Sequence, residues 1–102
     1  MGTNEIDEAI KKETAAIVAA GSALLAIIGK ILIGKSDAQK RKKELDDNII
    51  ECEKQLEKIN NQLDKYTGLS RIFHKKDICS LENQRTEITK KLEELKAEYR
   101  KL

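Results

Sequence analysis

Residues 14–34, TAAIVAAGSALLAIIGKILIG, hold a single charge, Lys30, in twenty-one positions. The rest of the chain is crowded with Lys and Glu, and charged residues make up 37% of its 102 positions. So apolar a run must be taken out of water. Three environments serve: a lipid bilayer, the inside of a helical assembly or, if its glycines mark a loop, a phosphate-binding turn.

The phosphate loop has a formal match in Gly29, Gly34, Lys35 and Ser36, which read GxxxxGK[ST]. In such a loop backbone N–H groups wrap the phosphates, the Lys reaches them and the hydroxyl holds magnesium. That geometry joins a strand to a helix in a parallel sheet, with a metal-binding acid nearby. Everything after Ser36 reads as helix, so no second strand is expected. Ile31, Leu32 and Ile33 are also bulky where backbone must approach the ligand. Nucleotide binding is therefore not expected.

A bilayer fits better. Residues 15–34 number twenty, about 30 Å as a helix, which matches the hydrocarbon thickness. Their nine large aliphatics, Ile17, Val18, Leu24, Leu25, Ile27, Ile28, Ile31, Leu32 and Ile33, favour insertion by roughly 3–5 kcal/mol. Lys30 opposes it by less than a mid-bilayer charge would, because it is near the end and its stem can snorkel. The flanks give a direction. Residues 1–14 carry four acids against two lysines; residues 35–43 carry five bases against one acid. The positive-inside bias then places the N-terminus outside and the rest of the chain in the cytoplasm. The acidic start is not that of a cleavable signal peptide, and MGTNEI lacks the hydroxyl residue of a myristoylation site.

The third environment is a soluble bundle. A stripe of Ile6, Ile10, Ile17, Ala20, Leu24, Ile27 and Ile31, broken by Glu13, would face the partner helices. Val18, Leu25, Ile28 and Leu32 would then face outward, and a helix apolar all round needs cover on every side. Such a chain would bury helix 1 in an oligomer. Under either reading Ala15, Ala19, Ser22, Ala26 and Gly29 step by 4 and 3 to form a row of small residues. Such rows let helix backbones approach closely, which makes this one the expected packing seam for self-association.

The charged remainder has its own pattern. Leu45, Ile49, Cys52, Leu56, Ile59, Leu63 and Tyr66 step by 4 and 3, the seam of a coiled coil. Ile78, Leu81, Arg85, Ile88, Leu92, Leu95, Tyr99 and Leu102 repeat the pattern, with Arg85 the polar intruder. Folding back about residue 72 pairs the seams antiparallel, with Ile59 opposite Arg85 and Cys52 opposite Leu92. Gly68 suits a helix end that needs a left-handed residue, and Asp77 or Ser80 suits the next N-cap. Two helices alone bury one thin seam and are marginal in water, so the N-terminal segment or another copy must add contact.

At the tip, Leu69, Ile72 and Phe73 stand among Arg71, His74, Lys75 and Lys76. They read first as a local mini-core closing the turn. The other reading, for Phe73 above all, is contact with an anionic membrane surface or an acidic partner. Cys52 reads as a small buried hydrophobe. It is too far from Cys79 along the hairpin for a disulfide, on the order of 20 Å. Two cysteines and one histidine make no credible metal set, and no base, nucleophile and orienting group converge.

The expectation is an all-α protein: a long N-terminal apolar helix followed by an antiparallel coiled-coil helical hairpin. Residues 1–14 form a short acidic helical segment and 15–34 the apolar helix expected to span the membrane. Residues 35–102 form the hairpin, with helices at about 37–67 and 77–102 and a tip at 68–76. Its role is expected to be non-enzymatic, without cofactor or metal: a membrane-anchored scaffold or interaction protein. The expected partners are membrane lipid and a second copy or another helical protein, not nucleic acid. The basic residues Lys35, Lys40, Arg41, Lys42 and Lys43 are the expected membrane-surface or partner contact. The alternative is a soluble assembly subunit of pore-forming or secretion-associated type.

Overall fold

The chain lacks proline, and its Ala, Leu, Lys and Glu favour helix over any other backbone state. The computed structural model describes residues 2–33 and 37–101, with side chains given from residue 8 onward, Ala38 excepted. Four helices follow in order: α1 (Gly2–Ile33), α2 (Ala38–Lys65), the short α3 (Leu69–Phe73) and α4 (Lys75–Lys101). There is no strand among the described residues. The protein is all-α, a long N-terminal helix packed along an antiparallel helical hairpin. Residues 29–33 continue α1 rather than forming the turn of a phosphate loop; Gly34, Lys35 and Ser36 lie outside the described residues.

The helices run up, down and up in a rod 56 Å long and 17 Å across. Glu13 meets Lys65 at one end of the α1–α2 contact, and the carbonyl of Ile31 meets Arg41 at the other. Thus α1 is antiparallel to α2 and parallel to α4. The start of α1 and the turn between α2 and α4 lie at the same end of the rod. The acidic start and the apolar run are one continuous helix, without a break near residue 14.

The hairpin turns within nine residues. Tyr66 closes α2 and donates its N–H to the carbonyl of Leu63 at 3.2 Å. Gly68 then takes φ +57°, ψ −127°, a conformation open to glycine and strained for residues with a Cβ. The tip expected as loop contains α3, and α4 begins at Lys75 rather than near residue 77. Asp77 is then inside the first turn of α4, where an acid complements the helix dipole.

The core runs the length of the rod. Leu45, Cys52, Ile59 and Tyr66, seven residues apart along α2, are all but fully buried, and Ile78, Leu81, Ile88, Leu92 and Leu95 meet them from α4. Leu63 is buried, while Ile49, Leu56 and Tyr99 are partly buried against this core. Arg85 is not in the seam as expected. It is exposed and donates to Asn60 Oδ1 at 3.2 Å, while its neighbour Gln84 turns inward.

Helix α1 supplies the third layer, by a face that keeps Ile10, Ile17, Leu24 and Ile31 of the expected stripe but is turned away from Ala20 and Ile27. Ile10, Thr14, Ile17, Gly21, Leu24, Ile28 and Ile31 are buried or half-buried and step 4, 3, 4, 3, 4, 3. Val18, Leu25 and Leu32 flank this row and pack partly buried against the core, while Ile28 is fully buried. None of these four faces outward. Ala20 and Ile27 are exposed instead; the side chain of Ile6 lies outside the described residues. The reason for the rotation is polar: Thr14 and Gly21 break the apolar pattern, and the hairpin meets both with hydrogen-bonding side chains.

Candidate interaction surfaces

The contact between α1 and the hairpin is the most specific feature of the molecule. Gln62 Nε2 donates to the carbonyl of Ile10 at 2.9 Å and to Thr14 Oγ1 at 3.0 Å. The hydroxyls of Thr14 and Tyr66 share a buried hydrogen bond of 2.6 Å. One or two turns on, Gln55 Nε2 donates to the carbonyl of Ile17 at 2.7 Å and to Gln84 Oε1 at 3.3 Å. Gln84 Nε2 in turn donates to the carbonyl of Val18 at 2.9 Å. Helix carbonyls keep a second lone pair after their own ladder bond. The three glutamines use it and so grip the backbone of α1, with Thr14 the one α1 side chain that Gln62 also bonds. Among the described residues no buried side-chain nitrogen or oxygen lacks a partner.

Gly21 makes this approach possible. A Cβ placed there would collide with the amide of Gln84, whereas one at Gly29 would meet open space. The two glycines therefore differ in role. Gly21 lies against the hairpin; of the row Ala15, Ala19, Ser22, Ala26 and Gly29, the first four are exposed on the side of α1 that the hairpin leaves uncovered and Gly29 is half-buried at its edge. Ile27 and Ile33 are 50% and 84% exposed on α1 as well. Only 11% of the most apolar stretch of Glu8–Ile33 is buried, and that segment is long and apolar enough to cross a membrane.

The basic block divides. Arg41, with a side chain 14% exposed, donates to the carbonyl of Ile31 at 3.0 Å and lies 3.6 Å from Glu98. It thereby links the last turn of α1, whose carbonyls lack helix partners, to α4. Lys42 holds its ammonium 5.5 Å from the ring centre of Tyr99. Lys40 and Lys43 are exposed. Lys35 lies outside the described residues.

The tip has no mini-core. Leu69, Ile72 and Phe73 are 70%, 60% and 76% exposed, so the turn is not closed by apolar packing as expected. The closure comes instead from Tyr66, buried at the end of the core, and from His74, whose ring centre is 5.6 Å from that of Tyr66. Lys11 of α1 lines a shallow groove here together with Ile72, Phe73, His74, Lys75, Lys76 and Asp77.

Both cysteines are free; Cys52 is buried and Cys79 exposed. Burial, reinforced by the charges of Glu53 and Glu51, pushes the Cys52 thiol up to about 11. No group of three or more metal-ligating side chains occurs among the described residues.

The glutamine grip was not read from the sequence, although a signal for it exists. Gln55 and Gln62 are seven residues apart beside the apolar seam of α2, and Thr14 and Gly21 are seven apart on α1. No protein-family model, curated protein or solved structure matches this chain.

Proposed function

We propose that this chain is a non-enzymatic, membrane-associated helical-hairpin interaction protein whose helix α1 enters the bilayer while the hairpin stays in the cytoplasm. The observation that carries the reading is the incomplete cover of α1: a helix of spanning length and composition in which 11% of the residues of the most apolar stretch are fully buried, while Ile27 and Ile33 are exposed. The core helix of a soluble domain would have most of that surface enclosed.

Docking and insertion exclude each other, because α2 and α4 bear charges along their outer faces and cannot follow α1 into hydrocarbon. The docked bundle is then the state away from lipid, held by the three glutamines. On insertion those amides return to water, where they find new partners at little cost. In the bilayer the row Ala15, Ala19, Ser22, Ala26 and Gly29 offers a close-packing surface for a second α1. The freed hairpin keeps its Leu and Ile seams for coiled-coil pairing within the chain or with a helical partner.

A second reading has one observation in its favour: the large aliphatics of α1 other than Ile27 and Ile33 already pack in or against the core, leaving chiefly small residues outside. A soluble assembly would close that small-residue side against another copy.

Ala16 and Lys58 line one groove between α1 and α2, so spin labels there, in a Cys79→Ser background, report docking. The expected result is a close pair in buffer that separates when vesicles are added, with the chain resisting carbonate extraction. A discrete small oligomer that ignores vesicles and keeps the labels close would sink the membrane reading in favour of the assembly.

A further inference from the structure

We infer that the hairpin tip is a lipid-contact site of its own, built to seat on an anionic bilayer surface. Among the described residues six large apolar side chains are exposed, and three of them, Leu69, Ile72 and Phe73, fall within five consecutive positions. They stand at i, i+3 and i+4 on one turn of α3 and so share a face. No residue of α3 is buried, so this helix does nothing for the core that would account for its apolar side chains.

The charge around them selects the occupant. Lys75 and Lys76 line the groove beside Ile72 and Phe73, and Lys11 joins them from α1. Asp77 is the one acid lining that groove, against three lysines, and its carboxylate lies 3.7 Å from His74 Nδ1. Apolar side chains edged by lysines match a bilayer interface. The rings and branched chains reach the acyl boundary while the ammonium groups stay among anionic headgroups. An acidic protein would satisfy the cations but leaves three large, protruding apolar side chains without a specified pocket. The site does not require α1 to insert. Its place beside the start of α1 does mean that a tip-seated bundle brings that helix end to the headgroups.

The chain contains no Trp, so one introduced at the tip reports alone. In the full chain Phe73→Trp keeps an exposed aromatic in place. Its emission is expected to shift to the blue with mixed phosphatidylcholine–phosphatidylglycerol vesicles and to stay unshifted with phosphatidylcholine alone. Adding Lys75→Gln and Lys76→Gln is expected to weaken that binding roughly thirty-fold, while the helical circular dichroism stays unchanged. A folded Phe73→Trp chain silent on both vesicle types overturns the proposal, and so does an equal shift on both. Ile27→Trp, in a separate chain, reports α1. A shift there with a silent tip overturns the tip site and leaves the α1 reading standing; a shift at the tip with a silent Ile27→Trp supports the tip site and counts against α1 insertion.

Discussion

The amide of Gln84 crosses from α4 to α1 at Gly21 and donates to the carbonyl of Val18 at 2.9 Å. The pair makes a coupled prediction. Alanine is better than glycine in a helix by about 1 kcal/mol. In the native background, Gly21→Ala forces the Gln84 amide away, and the lost bonds offset or exceed that gain at about 0.5–1.5 kcal/mol each. In a Gln84→Ala background the same change should stabilise by about 1 kcal/mol. Urea unfolding of the four chains gives the coupling, expected at about 1–2 kcal/mol. Additive effects would mean that Gln84 does not occupy the space over Gly21.

Thr14 is the centre of the other polar contact, bonded to both Tyr66 and Gln62. Tyr66→Phe leaves Thr14 its bond from Gln62 and should cost about 1 kcal/mol. Thr14→Val preserves shape but takes a partner from two buried groups, and should cost about 2–3 kcal/mol. Equal losses in denaturant midpoints would show that the two hydroxyls act as an isolated pair.

Arg41 joins the end of α1 to α4 through Ile31 and Glu98. Arg41→Ala should raise amide hydrogen exchange in the last turn of α1, with a loss of about 1 kcal/mol, and leave the start of α1 unaffected. Lysine should rescue little, since a single ammonium lacks the fork that serves both acceptors.

The cysteines separate by burial. A thiol reagent at mildly alkaline pH should titrate Cys79 alone in the folded chain and both thiols after urea unfolding. Burial raises the Cys52 thiol from the ordinary 9.0 to about 11. Between these values the unfolded chain loses the proton and the folded chain keeps it, so stability should fall as pH rises through that window. The contribution is complete below 9.0 and gone above about 11. Cys52→Ala should remove this slope in pH-dependent unfolding.

Much of the architecture is legible in side-chain period alone. The 4-and-3 spacing of Leu45 to Tyr66 and of Ile78 to Tyr99 gives two helices of equal length, and Gly68 gives the turn between them. The face of α1 is harder to read. Almost every position from Ala15 to Ile33 is apolar or small, so hydrophobicity does not separate inside from outside, and the choice falls to Thr14 and Gly21. Their meaning depends on Gln62 and Gln84, distant in sequence, and on bonds to backbone carbonyls that carry no residue signature. The tip misleads for a related reason. Leu69, Ile72 and Phe73 look like core by composition, yet all three are exposed, and the end of the core is closed by Tyr66 instead.

The central claim is that α1 belongs in a membrane with the hairpin on the cytoplasmic side. Its most direct test is carbonate extraction of membranes from cells making the full chain in a Cys52→Ala background, combined with maleimide labelling of Cys79. An inserted α1 keeps the chain with the washed membranes, and Cys79 is then shielded from an impermeant maleimide until the membrane is permeabilised. A chain recovered in the soluble fraction would contradict insertion, and Cys79 labelled from outside intact cells would contradict the orientation.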